Sequence, residues 1–141
     1  MTSTMPGLRK PETQVEYPDS DGLPMADNDP QRDLMFDTIK ALEHHYSEVP
    51  DVYVSGDILV YYKEGNPRRR VAPDVLVAFG VPKRRRRSYK VWEEGKMPQV
   101  VMEVCSDTNW ESDLLKATLY YTMGVQEYYI FDLTGERLQA G

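Results

Sequence analysis

Two carboxylates and one ammonium group carry the chemistry this chain has to offer. Asp74 stands at the head of the apolar run Val75–Phe79, and Glu103 interrupts a second apolar run, Val100–Cys105. A lone carboxylate in a strand fit for burial is costly to desolvate unless it is paired or binds a cation. Two carboxylates meeting at strand ends suit a hard divalent ion, Mg2+ or Mn2+. Such an ion makes its bound water a better nucleophile and stabilises charge on a phosphoryl oxygen. Lys116 lies on the helical stretch that follows, and its ammonium group would position water or offset developing charge. Asp113, Lys116 and Tyr120 are spaced three and four apart, so they share one face of that helix. The same residues also fit a purely structural arrangement, in which Asp74 caps a turn, Glu103 pairs with Lys116, and Asp113 is solvated.

Strands and helices must position these groups. Residues 30–46 carry apolar side chains at helical spacing (Leu34, Ile39, Leu42, Tyr46), with Asp29 as the expected cap and Pro30 in the first turn. Adjacent His44 and His45 point in different directions and lack a third partner, which argues against a metal site there. Residues 52–62 contain two β-prone runs around the turn signal Ser55-Gly56-Asp57. Residues 71–79 predict one strand covered on both faces, beginning near Asp74. A short strand is expected around Tyr89–Trp92, and another over 99–105. The next helix is expected to take a capping box from Thr108 and Glu111, to turn Leu114, Leu115, Ala117, Leu119 and Tyr121 toward the sheet, and to stop at Gly124. Residues 126–131 form the last clear strand, and ERLQA begins another. Cys105, two residues beyond Glu103 on the same strand face, reads as a buried or site-lining thiol, since no histidine lies nearby in sequence to activate it.

Composition bounds the rest. The chain has 141 residues, 40% of them hydrophobic and 28% charged, which fits one soluble globular domain. Residues 1–29, rich in proline and acid, read as a flexible or extended arm, and 30–141 as the domain, with an abrupt end suggesting C-terminal truncation. The single cysteine excludes an internal disulfide. No signal peptide or spanning segment is evident, so the expected location is the cytoplasm. There is no GxGxxG, GxxxxGK[ST], CxxC or HExxH pattern, which removes nucleotide-binding and structural zinc readings. The net charge of −6 hides an asymmetry: ten of the seventeen Lys and Arg residues lie between Lys63 and Lys90, against only Glu64 and Asp74. Arg68, Arg69 and Arg70, with Lys83, Arg84, Arg85, Arg86 and Arg87, are the candidate contacts to nucleic-acid phosphates; a solvated loop is the plainer alternative.

Four segments together resemble the Uma2 family of the PD-(D/E)XK restriction endonuclease-like superfamily: Ala72-Pro-Asp-Val-Leu-Val77, Val101-Met-Glu-Val-Cys-Ser106, Asp113-Leu-Leu-Lys116 and the run from Tyr120 to Asp132. The resemblance spans roughly residues 30–132. It implies an α/β fold with a central mixed sheet flanked by helices, in the order α-β-β-β-α-β. It also implies Asp74 and Glu103 as metal-holding acids, Lys116 as the catalytic lysine and Asp113 as its helper. The superfamily's usual lysine position, two residues after the acid, is occupied here by Cys105, so Lys116 on the following helix takes that role. Glu43 or Asp37 would be the first-helix acid often found at such sites. The implied activity is Mg2+- or Mn2+-dependent hydrolysis of phosphodiester bonds in DNA, by a homodimer. The alternative on the same fold is a catalytically inactive nucleic-acid- or protein-binding module.

Overall fold

The computed structural model describes residues 15–24, 26, 28–105 and 110–133. In chain order the elements are α1 (Asp29–His45), β1 (Val52–Ser55), β2 (Val60–Tyr61), β3 (Arg70–Val71), β4 (Val75–Phe79), β5 (Tyr89–Lys90), α2 (Val91–Glu94), β6 (Val100–Cys105), α3 (Trp110–Met123) and β7 (Glu127–Asp132). The main sheet has the order β1-β4-β6-β7. Its first three strands pair antiparallel, while β6 and β7 run parallel and are joined through α3, the long crossover that a parallel pair requires. Read along the chain, this sheet and its helices run α1-β1-β4-β6-α3-β7, which is the α-β-β-β-α-β order expected of the mixed α/β fold. A second sheet of order β3-β2-β5, with α2, is inserted between those elements.

The two faces of the main sheet are covered differently. Val52, Val77 and Val100 lie on one face with Leu42 and Tyr46 of α1. On the other, Tyr53, Leu76, Ala78 and Val101 pack with Ile58, Val60 and Tyr89 of the inserted part and with Tyr120 of α3. Strand alternation puts Glu103 on the same face as Val101, and Asp74 on the same face as Leu76. Both carboxylates therefore face α3.

Local chemistry departs from the sequence reading in several places. The cap of α1 is Asn28, whose side chain accepts from the Gln31 amide at 2.9 Å, and Asp29 is already helical. Asn and Asp cap equally well, so preference alone cannot choose between neighbours. The run 71–79 is not one strand. Val71 pairs with Val60 in the small sheet and Val75 with Met102 in the large one. Pro73, which has no N–H for a ladder, sits at the break, and its carbonyl accepts from Asp57 at 3.1 Å. After β5 the chain turns through the single helical turn of α2 instead of continuing as a strand. The capping role of Thr108 and the strand beginning at ERLQA lie outside the described residues, as do the first fourteen residues of the arm. Of that arm, Tyr17 packs edge-on against Tyr61 of β2 and at a tilt against Trp92 of α2, and accepts from the Gly65 amide.

The largest departure is the orientation of α3. Leu115 is 79% exposed, and Leu114, Leu119 and Tyr121 also face outward, whereas Asp113 and Tyr120 are fully buried. The polar stripe turns inward because the sheet beneath it presents carboxylates, which need hydrogen bonds and positive charge more than they need leucine.

Candidate active site

β4 is shorter than its neighbour β6, and the site is built at the step this leaves. The β4–β6 register pairs Val75 with Met102, so one step further sets Asp74 beside Glu103. Beyond that point Val104 has no strand partner for the N–H and C=O it turns toward the β4 side. Two side chains replace the missing strand. Asp74 Oδ2 accepts from the Val104 N–H at 2.7 Å, and Gln31 Nε2 donates to the Val104 carbonyl at 3.0 Å. This satisfies a buried peptide that would otherwise be costly. It also fixes the Asp74 carboxyl against Glu103, with which it is in hydrogen-bonding contact.

Glu103 is 2% exposed. Its Oε1 accepts from the Tyr120 hydroxyl at 2.8 Å and lies 3.7 Å from Lys116 Nζ. Lys116 Nζ also lies 3.3 Å from Asp113 Oδ1. The four residues expected to meet (Asp74, Glu103, Lys116 and Asp113) thus converge, and the Asp113–Lys116–Tyr120 stripe is the means. Asp113 is anchored further by the Tyr128 hydroxyl, which donates to its backbone carbonyl. Cys105 is buried on the Glu103 face, and parallel register places it beside Asp132.

Among the described residues three carboxyl groups face one ammonium here, and the proton affinities reflect it. Burial, then the neighbouring acids, push Glu103 up to about 8, against the pull of Lys116. Burial raises Asp74 too, with Asp113 adding to it, although the Val104 amide and Glu103 work the other way. Lys116 loses some basicity to burial, but Glu103 and Asp113 outweigh this and hold its pKa above the ordinary lysine value. The Cys105 thiol is pushed up to about 12 by burial and by Asp113, so it is no nucleophile at neutral pH. Lys116 stays charged and can donate; it is poorly suited to take a proton. Glu103 and Asp74 hold more proton than free carboxylates do.

The donor set fits a hard divalent cation. Among the described residues no group of three His, Cys, Asp or Glu side chains is arranged to hold a metal ion. What the chain supplies is the carboxylate pair Asp74 and Glu103, with Lys116 3.7 Å from Glu103; Mg2+ commonly uses one or two carboxylates alongside water and substrate phosphate.

The other candidates are dispersed. Asp37 and Glu43 are exposed on α1, and the residue of that helix that reaches the site is Gln31, in its first turn. Its signal in the sequence was faint: a polar residue at helical spacing from buried Met35, indistinguishable from any exposed glutamine. The basic residues divide. Arg68, Arg69 and Arg70 lie at the β2–β3 connection, Arg68 and Arg70 beside a shallow hollow also lined by Glu16. Lys83 Nζ donates to the Tyr46 and Val49 carbonyls, closing the C-terminal end of α1. Arg86 is 1% exposed, pairs with Glu94 at 2.7 Å and lies over the Tyr53 ring. Arg84 reaches Glu94 only at 3.4 Å, and Arg85 is exposed.

The Uma2 family model, described as "Putative restriction endonuclease", matches residues 3–140. The fold is similar to a crystal structure of a "putative nuclease belonging to DUF820" from Anabaena variabilis, with a TM-score of 0.58 and 11% sequence identity. The likeness covers 74% of this chain and 57% of that one, so the chain spans little more than half the length of that structure. No curated protein matches the chain.

Proposed function

The chain belongs to the Uma2 family, and from that premise we propose that it is a divalent-metal-dependent endonuclease hydrolysing phosphodiester bonds in DNA. The observation that carries this reading is the charge deficit at the sheet end, where the Asp74, Glu103 and Asp113 carboxylates converge on Lys116 alone among the described cations.

Asp74 and Glu103 would hold Mg2+ or Mn2+. When bound, such an ion supplies Lewis-acid polarisation of a phosphoryl oxygen and a more acidic water. The chain's own part is positioning. Asp74 is held by the Val104 amide, and Glu103 is held by Tyr120, so neither carboxyl must reorganise when charge develops nearby. Lys116 keeps its proton, is one-third exposed and leans toward Glu103, so it orients water and offsets negative charge rather than acting as a base. Asp113 fixes the Lys116 ammonium from the same helix. The high proton affinity of Glu103 couples metal binding to proton release, so metal affinity rises with pH up to about 8.

A second reading keeps the fold and drops the chemistry. The Lys116–Glu103 pair and the Tyr120 hydrogen bond already serve Glu103 Oε1, as a structural cluster in a binding module would. Calorimetry with Mn2+ on the wild type and on Glu103→Gln, followed by cleavage of labelled DNA by both, separates the two. Metal binding and cleavage that vanish together in the variant support the enzyme. A folded wild type that binds no metal at millimolar concentration leaves the binding module.

A further inference from the structure

A groove of about 820 Å³ lies between α1 and β1, an edge strand of the main sheet among the described residues, and is walled on its far side by the loop 83–86. At its Gly56 end the floor meets the backbone of Asp74. Just after β1 comes Gly56, where a Cβ would stand 2.1 Å from the Asp74 carbonyl oxygen and 2.7 Å from Ile39 Cδ1. The absent side chain is what lets the groove floor touch the backbone of Asp74. Along the other wall, α1 starts at the site, where Gln31 holds Val104, and then presents Phe36, Ile39 and Lys40 to the groove. The four residues of β1, Val52–Ser55, make the strand wall of the groove about 13 Å long.

The groove's charge favours a polyanion. Lys40 and Arg85 are exposed on opposite walls, and Arg84 is more than half exposed with only a long contact to Glu94. Against them the lining holds the single acid Glu43. Arg86 and Lys83 are spent on Glu94 and on the end of α1, so they shape the wall rather than bind. Phe36 adds a 40% exposed ring. Cations that track a backbone, with an aromatic face beside them, are the combination that binds single nucleic-acid strands.

We infer that this groove seats one strand of nucleic acid, its phosphates on Lys40, Arg84 and Arg85 and a base against Phe36, and leads it past Gly56 to Asp74. The inference rests on the nucleic-acid part of the function proposed above, not on catalysis. The edge of β1 would also admit an extended peptide, but three cations against one acid argue for phosphate.

Fluorescence anisotropy with a fluorescein-labelled single-stranded oligodeoxynucleotide in EDTA tests it, across a salt series. The wild type binds at low salt. The double variant Lys40→Gln/Arg85→Gln binds more weakly, and its log–log salt slope is shallower by about 1.4, two phosphate contacts on a single strand. Phe36→Ala loses about tenfold in affinity with the slope unchanged, as loss of stacking requires. Circular dichroism and Mn2+ calorimetry on the same variants stay at wild-type values. Failure of the wild type to retain the strand at low salt overturns the inference, as does a double variant with wild-type affinity and slope, or a wild type that retains only duplex. Strand binding that follows these variants in a protein that never cleaves leaves the groove standing and removes the enzyme.

Discussion

Arg86 with Glu94 and Lys116 with Glu103 are two ion pairs with buried carboxylates in one small fold, and they differ in balance. At the first, the guanidinium meets both Glu94 oxygens, at 2.7 and 3.1 Å, and its Nη1 donates to the Pro82 and Arg84 carbonyls. Both side chains are almost fully buried. Burial alone would lower the arginine's pKa, and Glu94 more than offsets it. At the second, Lys116 sits 3.7 Å from Glu103, is one-third exposed, and serves Asp113 as well, with Asp74 alongside. The first pair is matched, one guanidinium to one carboxylate. The second sets three carboxyl groups against one ammonium among the described residues, and that surplus is what a cation could use.

The comparison can be broken by the same substitution made at each pair. Glu103→Gln removes a group that can ionise, so it abolishes metal binding and cleavage, and above about pH 8, where Glu103 is charged, it raises the melting temperature of the metal-free protein. A variant that cleaves like the wild type, or one that melts lower, contradicts the imbalance. Lys116→Met lowers the cleavage rate about 100-fold with metal affinity retained or improved, since it removes positive charge that competes with the ion. Equal rates for variant and wild type would return Lys116 to a structural role. Glu94→Gln, at the matched pair, instead costs about 3 kcal/mol of unfolding free energy in urea melts, because it strands a buried guanidinium, and it leaves metal binding untouched. If Glu94→Gln is neutral, the two sites are not different in kind. Gln31→Leu frees the Val104 carbonyl and lowers metal affinity about tenfold, the scale on which groups that position ligands act; calorimetry reads it directly.

The smallest effect is on pH. The folded-state pKa of Glu103, about 8, stands above its ordinary 4.5, so between those values the folded protein binds more protons than the unfolded chain. Metal-free stability therefore falls as pH rises from about 5 to 8. Saturating Mn2+ should flatten that slope, and Glu103→Gln should remove most of it. Melting temperatures over that range, with and without metal, check both; a metal-free melting temperature that climbs toward pH 8 would mean Glu103 is not held protonated.

How far the sequence could be read differed from element to element. The order of α1, β1, β4, β6, α3 and β7 was legible because apolar runs, turn residues and spacing are local signals. Asp74 and Glu103 were legible as carboxylates intruding on strands. The break at Pro73 and the cap at Asn28 were not, since each is a choice between adjacent positions that only pairing resolves. Gln31 was hidden because nothing in a helix sequence reports which backbone carbonyl its side chain will find.

By itself, the sequence determined that Asp113, Lys116 and Tyr120 share a face, since helical geometry sets that from spacing alone. It also determined that loop 83–87 is strongly basic. Only the tertiary structure decided that α3 turns its polar face inward and leaves Leu115 to solvent, and that Arg86 and Lys83 are consumed within the fold while Lys40 and Arg85 are not. The physical reason is the same in each case. Spacing sets which groups travel together, whereas burial and pairing depend on the surface brought opposite them by residues distant in the chain.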